Sequence, residues 1–411
     1  MNDVGGVTRG SRVWLILTSV WWVGCSVAEQ PAGATVSDSA GVRIVTAEVL
    51  PVASPELALS GEPVLEIGAV EGAPEYQFTQ VVGIARLMDG WAVLDADANA
   101  VRQFDRSGEY LRTVGRGGQG PGEFSRPLQV FALPEDSILV WDAGRPGYSL
   151  FSPDGAPVAA QRVALDDAET PGEARIMSGG RYLVLVSYPS PMSVLQEGEG
   201  LHRVPVTLRV MDRQERTVET IGVFPGIETV VLSVRGQPLV ASAAFPRTLQ
   251  FGVLDERLVV GTTETLEVRV LAADGALEEI FRAPSGELAF TEADREWYGT
   301  HRRQSARSEA ERAMVDEFLT TMTFPDQLPA FSSMLVSDSG DIWLRTGRHV
   351  PPSGIGPTWS VMGADGAFRG EVTMPPGFDP LLISSGEVAG VWRDQTDVPF
   401  VRVYRLTGAV S

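Results

Sequence analysis

The chain has 411 residues, 44% hydrophobic and 21% charged, a balance that supports a packed core and argues against wholesale disorder. Its formal net charge of -20 repels phosphate backbones and anionic lipid, which disfavours nucleic-acid binding. Every basic residue is Arg, so Schiff-base lysine chemistry and a Walker-type lysine are excluded, and the single cysteine, Cys25, rules out an intramolecular disulfide.

Arg9 and Arg12 precede an apolar run from Val13 to Val23. That order, and a run too short for a comfortable membrane span, predicts an export signal over residues 1–25. Trp22-Val23-Gly24-Cys25 is similar to a lipobox, with Trp where Leu is usual, and makes Cys25 the expected lipidation site. Ordinary cleavage after Ser26-Val27-Ala28 is the alternative and gives a soluble periplasmic protein. Residues 26–40, rich in Ala, Ser, Gly and Pro, read as a flexible tether.

From Val81 a unit of four short strands is expected. Val81–Leu87, Trp91–Leu94, Val101–Phe104 and Tyr110–Val114 are separated by the turn pairs Asp89-Gly90 and Ser107-Gly108 and by an Asp95–Asn99 loop. The pattern recurs from Pro127, Glu173, Thr248, Ser332 and Pro380. First-to-second-strand turns fall at Glu135-Asp136, Gly179-Gly180, Asp255-Glu256, Ser339-Gly340 and Ser385-Gly386. Third-to-fourth-strand turns fall at Asp154-Gly155, Arg213-Gln214, Asp274-Gly275 and Asp365-Gly366. The sixth unit stops at Thr407-Gly408 without a fourth strand, which an early segment such as Val64 to Ile67 is expected to supply, so that the ring closes and no edge is left open. The expected fold is therefore all-β, a six-bladed β-propeller over residues 41–411.

FDRSGEYLRTVGRGGQGPGEFSRP, within Val101–Pro127, resembles the NHL-type repeat. With GVRIV at Gly41 and GRGGQGPGEF at Gly115–Phe124, the chain resembles the bacterial six-bladed β-propeller family, whose members are often lipoproteins. The resemblance implies a propeller in the cell envelope, at the outer membrane if Cys25 is lipidated, and no single activity.

Between units four and five the period changes. Thr291 to Asp294 resembles a capping box, and Ala310, Met314, Phe318 and Met322 lie at i, i+4 spacing. Together they predict a helical insertion over 285–328, broken at Gly299. Such a stripe reads first as packing against a sheet flank, and second as a cap over one face.

Catalytic motifs are scarce. His202, His301 and His349 lack zincin spacing, and no G-x-S-x-G elbow occurs. Asp95 to Asn99 opens like an EF-hand loop but has Ala100 where Gly belongs and Arg106 where Glu belongs, so no metal ligand is assigned and calcium is the one cofactor worth testing. The Gly115–Gly122 loop lacks a phosphate-binding lysine and reads as a connection whose glycines allow positive φ. Ligands of propellers meet the loops and inner strands around the channel. The expected contacts are Asp95, Asp97, Asp142, Arg145, His349 and Arg393 on loops and Gln129, Arg175 and Asp379 on inner strands. The expected function is a monomeric extracytoplasmic binding or scaffold module for an envelope protein, peptide or glycan. A metal-dependent, lactonase-like hydrolase or lyase at the channel is the alternative.

Overall fold

The computed structural model describes residues 33–47, 57–166, 168–234, 236–306, 308–346 and 356–408, all within a compact unit spanning Pro31–Ser411. The expected export signal, Cys25 and His349 lie outside the described residues.

The described chain is mostly β, with few helices. Sheet one holds Val81–Leu87, Gly90–Asp95, Ala100–Asp105 and Tyr110–Val114, and sheet two holds Pro127–Ala132, Ile138–Asp142, Gly147–Phe151 and Pro157–Arg162. Sheets three to six begin with Glu169–Ile176, Gln250–Leu254, Met334–Val336 and Phe378–Ser384, each followed by antiparallel neighbours in chain order. The first strand of each sheet contacts the first strand of the next, and that of sheet six returns to that of sheet one.

Period-two alternation explains this ring. The second strand of each sheet is a nearly unbroken apolar run because both of its faces are covered, and successive side chains enter opposite interfaces. Ala92 and Leu94 pack against sheet two, while Trp91 and Val93 pack against sheet six. Ile138 and Val140 return to sheet one, while Leu139 and Trp141 meet sheet three. Separate apolar clusters likewise join sheets three and four, four and five, and five and six. Each fully buried Val, Leu or Ile contributes about 1.5–3 kcal/mol relative to exposure, so every interface is a core of its own.

The turns take the conformations their residues allow. Gly108, Gly155, Gly275 and Gly366 have φ between +82° and +88°, a region that an L side chain enters at a cost. In sheet six the missing strand comes from the chain start, as the truncated last unit anticipates. Leu65–Ile67 pairs antiparallel with Pro399–Thr407, with Val401 opposite Ile67 and Val403 opposite Leu65.

The tether expected over 26–40 requires correction at its end. Ala34–Ser39 is a strand, hairpinned to Val42–Ala47, which adds in parallel to Leu277–Arg282 at the outer edge of sheet four. The open edge supplies backbone partners, and Arg43 locks the addition through Glu279 at 2.5 Å and the Asp365 carbonyl at 3.2 Å.

Sheet three departs most from the repeat. Gly200–Asp212 and Thr217–Val234 run on past the other strands and, with Gln237–Ser242, form an arm. Helices Glu292–Gln304 and Glu309–Thr321 pack on that arm through Trp297, Phe318 and Met322, against Val230, Leu232 and Phe245. The capping box is present, with the Thr291 hydroxyl accepting from the Asp294 amide and the Asp294 carboxylate accepting from the Thr291 amide. Gly299 does not break the helix; it is buried inside it, and the break falls after Gln304. Of the expected stripe, Phe318 and Met322 are buried, but Met314 is 46% exposed and Ala310 faces solvent.

Candidate functional site

Two kinds of position were expected to meet a ligand, and the structure treats them differently. Asp95 ends the second strand of sheet one and is fully buried. Its carboxylate accepts from the amides of Thr79 and Gln80, both at 3.1 Å, and of Ala98 at 3.4 Å, with Arg102 at 3.3 Å. Asp142 does the same in sheet two, accepting from Ser125 at 2.7 Å, Arg126 at 2.9 Å and Gly144 at 2.9 Å. Each aspartate thus ties the end of a second strand to the segment entering the first strand of its own sheet. In sheet four the buried Thr263 hydroxyl takes the Thr248 amide at 2.9 Å.

These loop residues are therefore scaffold. Buried carboxylates must satisfy their acceptor capacity, and here backbone amides do so. Arg145 donates to the Glu123 carbonyl and stands 3.9 Å from Asp142. Arg393 is turned back on its own loop, donating to the Asp397 carbonyl at 3.0 Å. Asp97 is exposed. The glycine-rich loop does cradle an anion, but that anion is its own Glu123, which accepts from the Gln119 and Gly120 amides at 2.7 Å and from Arg116 at 2.8 Å. Those bonds, the Gly120 amide foremost, hold the Glu123 carboxyl below the usual range.

The inner-strand residues are placed otherwise. A cavity of about 590 Å³ lies among the first strands of all six sheets. These strands run the same way, because hydrogen bonds join the first-to-second-strand turns of neighbours: Met88 to Asp136 at 2.6 Å, Ser178 to Asp255 at 3.2 Å and Ser384 to Asp338 at 2.7 Å. Gln129 and Asp379, in the first half of their strands, therefore lie toward the opposite end, here called the mouth, whereas Glu173 is midway along Glu169–Ile176 and Arg175, its next-to-last residue, lies deeper. The connection after Tyr182–Pro189 and the segment carrying the helix pair open toward that end as well, since each leaves a second or a fourth strand.

At the mouth, Gln129 reaches from sheet two to sheet three, where its Oε1 accepts the Ala174 amide at 3.1 Å. Arg175 lies over the Phe251 ring of sheet four at 5.0 Å, donates to the Ala174 carbonyl at 2.9 Å and pairs with Glu173 at 2.8 Å. Tyr188 comes from the second strand of sheet three, and its ring occupies the space a side chain at Gly172 would need. Burial pushes its phenol up to about 12, with the Glu173 charge adding and Arg175 opposing. On the facing side Asp379 stands 3.6 Å from Arg345. The protein around Asp379 raises its carboxyl above the ordinary value and Arg345 partly offsets this, although the side chain remains 64% open to solvent.

Glu173 was absent from the expected contacts. Its position two residues before Arg175 on an inner strand is the signal that puts both on one face. At the far end Arg86 stacks on Trp91 at 4.2 Å and lies 3.7 Å from Glu387. Among the described residues no group of three His, Cys, Asp or Glu side chains is arranged to hold a metal.

No protein-family model matches the sequence, and no curated protein matches it. Among solved structures, a member of the DUF4221 family from Bacteroides vulgatus is similar at 10% identity and a TM-score of 0.51, over 87% of this chain and 100% of that one. A putative exported protein from Bacteroides fragilis matches at 11% identity and a TM-score of 0.48, over 89% and 99% of the two chains. A gluconolactonase from Xanthomonas campestris matches at 12% identity and a TM-score of 0.41, over 88% and 100%. At these identities the likeness concerns fold alone, and with the ring of sheets around one cavity it puts the chain among proteins of β-propeller type.

Proposed function

We propose that the chain is a six-bladed β-propeller with a helical insertion between blades four and five, exported to the cell envelope and anchored there through Cys25. On this reading it is a binding module, and its ligand, a peptide, glycan or envelope protein, meets the channel mouth at Gln129, Arg175 and Asp379. The observation that carries the site is the contrast in hydrogen bonding. Asp95 and Asp142 have their carboxylates filled by backbone amides, whereas Gln129 and Arg175 line an open cavity of about 590 Å³, a size suited to ligand binding. The cyclic strand contacts and the six inter-sheet clusters support the blade count.

Peptide and glycan arrays test this reading. A ligand recognised by the wild type should be lost in the double variant Gln129→Ala, Arg175→Met at unchanged thermal midpoint. Recognition that survives the double variant would move the site elsewhere.

A further inference from the structure

Arg86 and Arg175 are each the next-to-last residue of a first strand, Val81–Leu87 in sheet one and Glu169–Ile176 in sheet three, and both line the cavity. They therefore lie at nearly one depth. Arg86 turns toward sheet six, where Glu387 begins the second strand, and stacks on Trp91, which packs in the interface between sheets six and one. Arg175 turns toward sheet four, over Phe251. The first strands contact one another in cyclic order, so the interface of sheets six and one stands across the ring from that of sheets three and four. Two guanidinium groups thus face the channel from opposite walls.

Neither is used up by the protein. Among the described residues Arg86 makes no hydrogen bond: the Glu387 Oε2 beside it is 3.7 Å away and is itself buried without a hydrogen-bond partner. Arg175 carries five N–H groups, of which one goes to the Ala174 carbonyl and one to Glu173. Their charge, by contrast, is already matched. Glu387 and Glu173 stand beside them, and Asp255 and Asp338 add two more carboxylates to the channel. Two arginines against four carboxylates leave the passage acidic, so an anion drawn to the guanidinium groups meets net repulsion. What fits is an uncharged group rich in oxygen acceptors, which takes the remaining N–H groups and brings no charge, while its own O–H groups find the carboxylates. The wall is a closed ring of strands, so a polymer reaches these residues by an end and not by its middle.

We propose that the cavity takes the chain end of a neutral saccharide, its hydroxyl groups held between Arg86 and Arg175. This rests on reading the cavity as the binding site.

Isothermal calorimetry on the purified chain tests the proposal with the methyl glycosides of glucose, galactose and mannose, each beside its uronate, which carries a carboxylate in place of the primary alcohol. At least one neutral glycoside binds, roughly 10-fold or more tighter than its uronate, with an affinity that does not fall from low to high salt. Arg86→Met and Arg175→Met each weaken it by roughly 10-fold or more, the worth of a hydrogen bond to a charged group. Arg303→Met, on the helix pair, leaves it unchanged. On glycan arrays the same sugar is bound where it ends a chain and not where it is internal. The uronate and salt comparisons need no variant, so they decide the matter even if a variant misfolds. Tighter binding of a uronate than of its neutral partner, affinity that falls with salt, or affinity retained in Arg86→Met overturns the proposal. If no saccharide binds while a peptide found on the arrays is lost in the Gln129→Ala, Arg175→Met variant, the saccharide inference falls and the cavity as binding site stands. If a saccharide binds and that double variant leaves it unchanged, both fall.

Discussion

Asp142 and Asp379 are the same residue type, and both were expected to meet a ligand, yet they do opposite work. Asp142 is buried and accepts backbone amides from its own sheet. Asp379, early in the first strand of sheet six, has one arginine at 3.6 Å and most of its side chain open. The difference is one of strand position. The end of a second strand lies beside the segment that enters its own sheet's first strand, where amides lack ladder partners, so a carboxylate there is taken up by the scaffold. At the start of sheet six's first strand Asp379 meets a side chain, Arg345, instead.

The largest expected effect breaks the scaffold side of that contrast. Asp142→Ala leaves several buried amides without acceptors and should lower stability by about 3–5 kcal/mol, read by chemical denaturation. Phe318→Ala should cost about 3 kcal/mol, felt in the helix pair and the sheet-three arm, so hydrogen exchange should rise there and stay low in sheets one and two. Gly108→Ala forces a side chain into φ +87° and should cost about 1–2 kcal/mol.

A smaller effect concerns pH. Arg181 hydrogen-bonds Asp212 and, with the Gln214 and Glu215 amides, lowers its carboxyl from 3.8 to about 2. The folded value lies below the unfolded one, so this contribution is complete above pH 3.8 and is lost as pH falls through about 2. Asp212→Asn should therefore flatten the acid limb of the stability profile and leave its neutral-pH shape unchanged. Smallest in stability is Arg175→Met, which should shift unfolding by within about 0.5 kcal/mol while weakening a ligand identified on the arrays.

Much of the fold is written in local chemistry. Gly108, Gly155, Gly275 and Gly366 mark third-to-fourth-strand turns because those turns need positive φ, and the apolar second strands mark sheets covered on both faces. The strand Ala34–Ser39 escaped notice because it is short and mostly exposed, and forms only where sheet four offers an edge. The sheet-three arm escaped because its residues continue the same alternation past the point where the other sheets end. At the site, residue type alone did not separate Asp142 from Asp379. Only the position of each in its sheet does.

Difference hydrogen exchange by mass spectrometry, with and without a saturating ligand identified on the peptide and glycan arrays, tests the central claim most directly. The account predicts added protection over 127–132, 169–176 and 378–384, the first strands that border the mouth, and none over 95–99 or 142–146. Protection confined to those second-to-third-strand loops would contradict it.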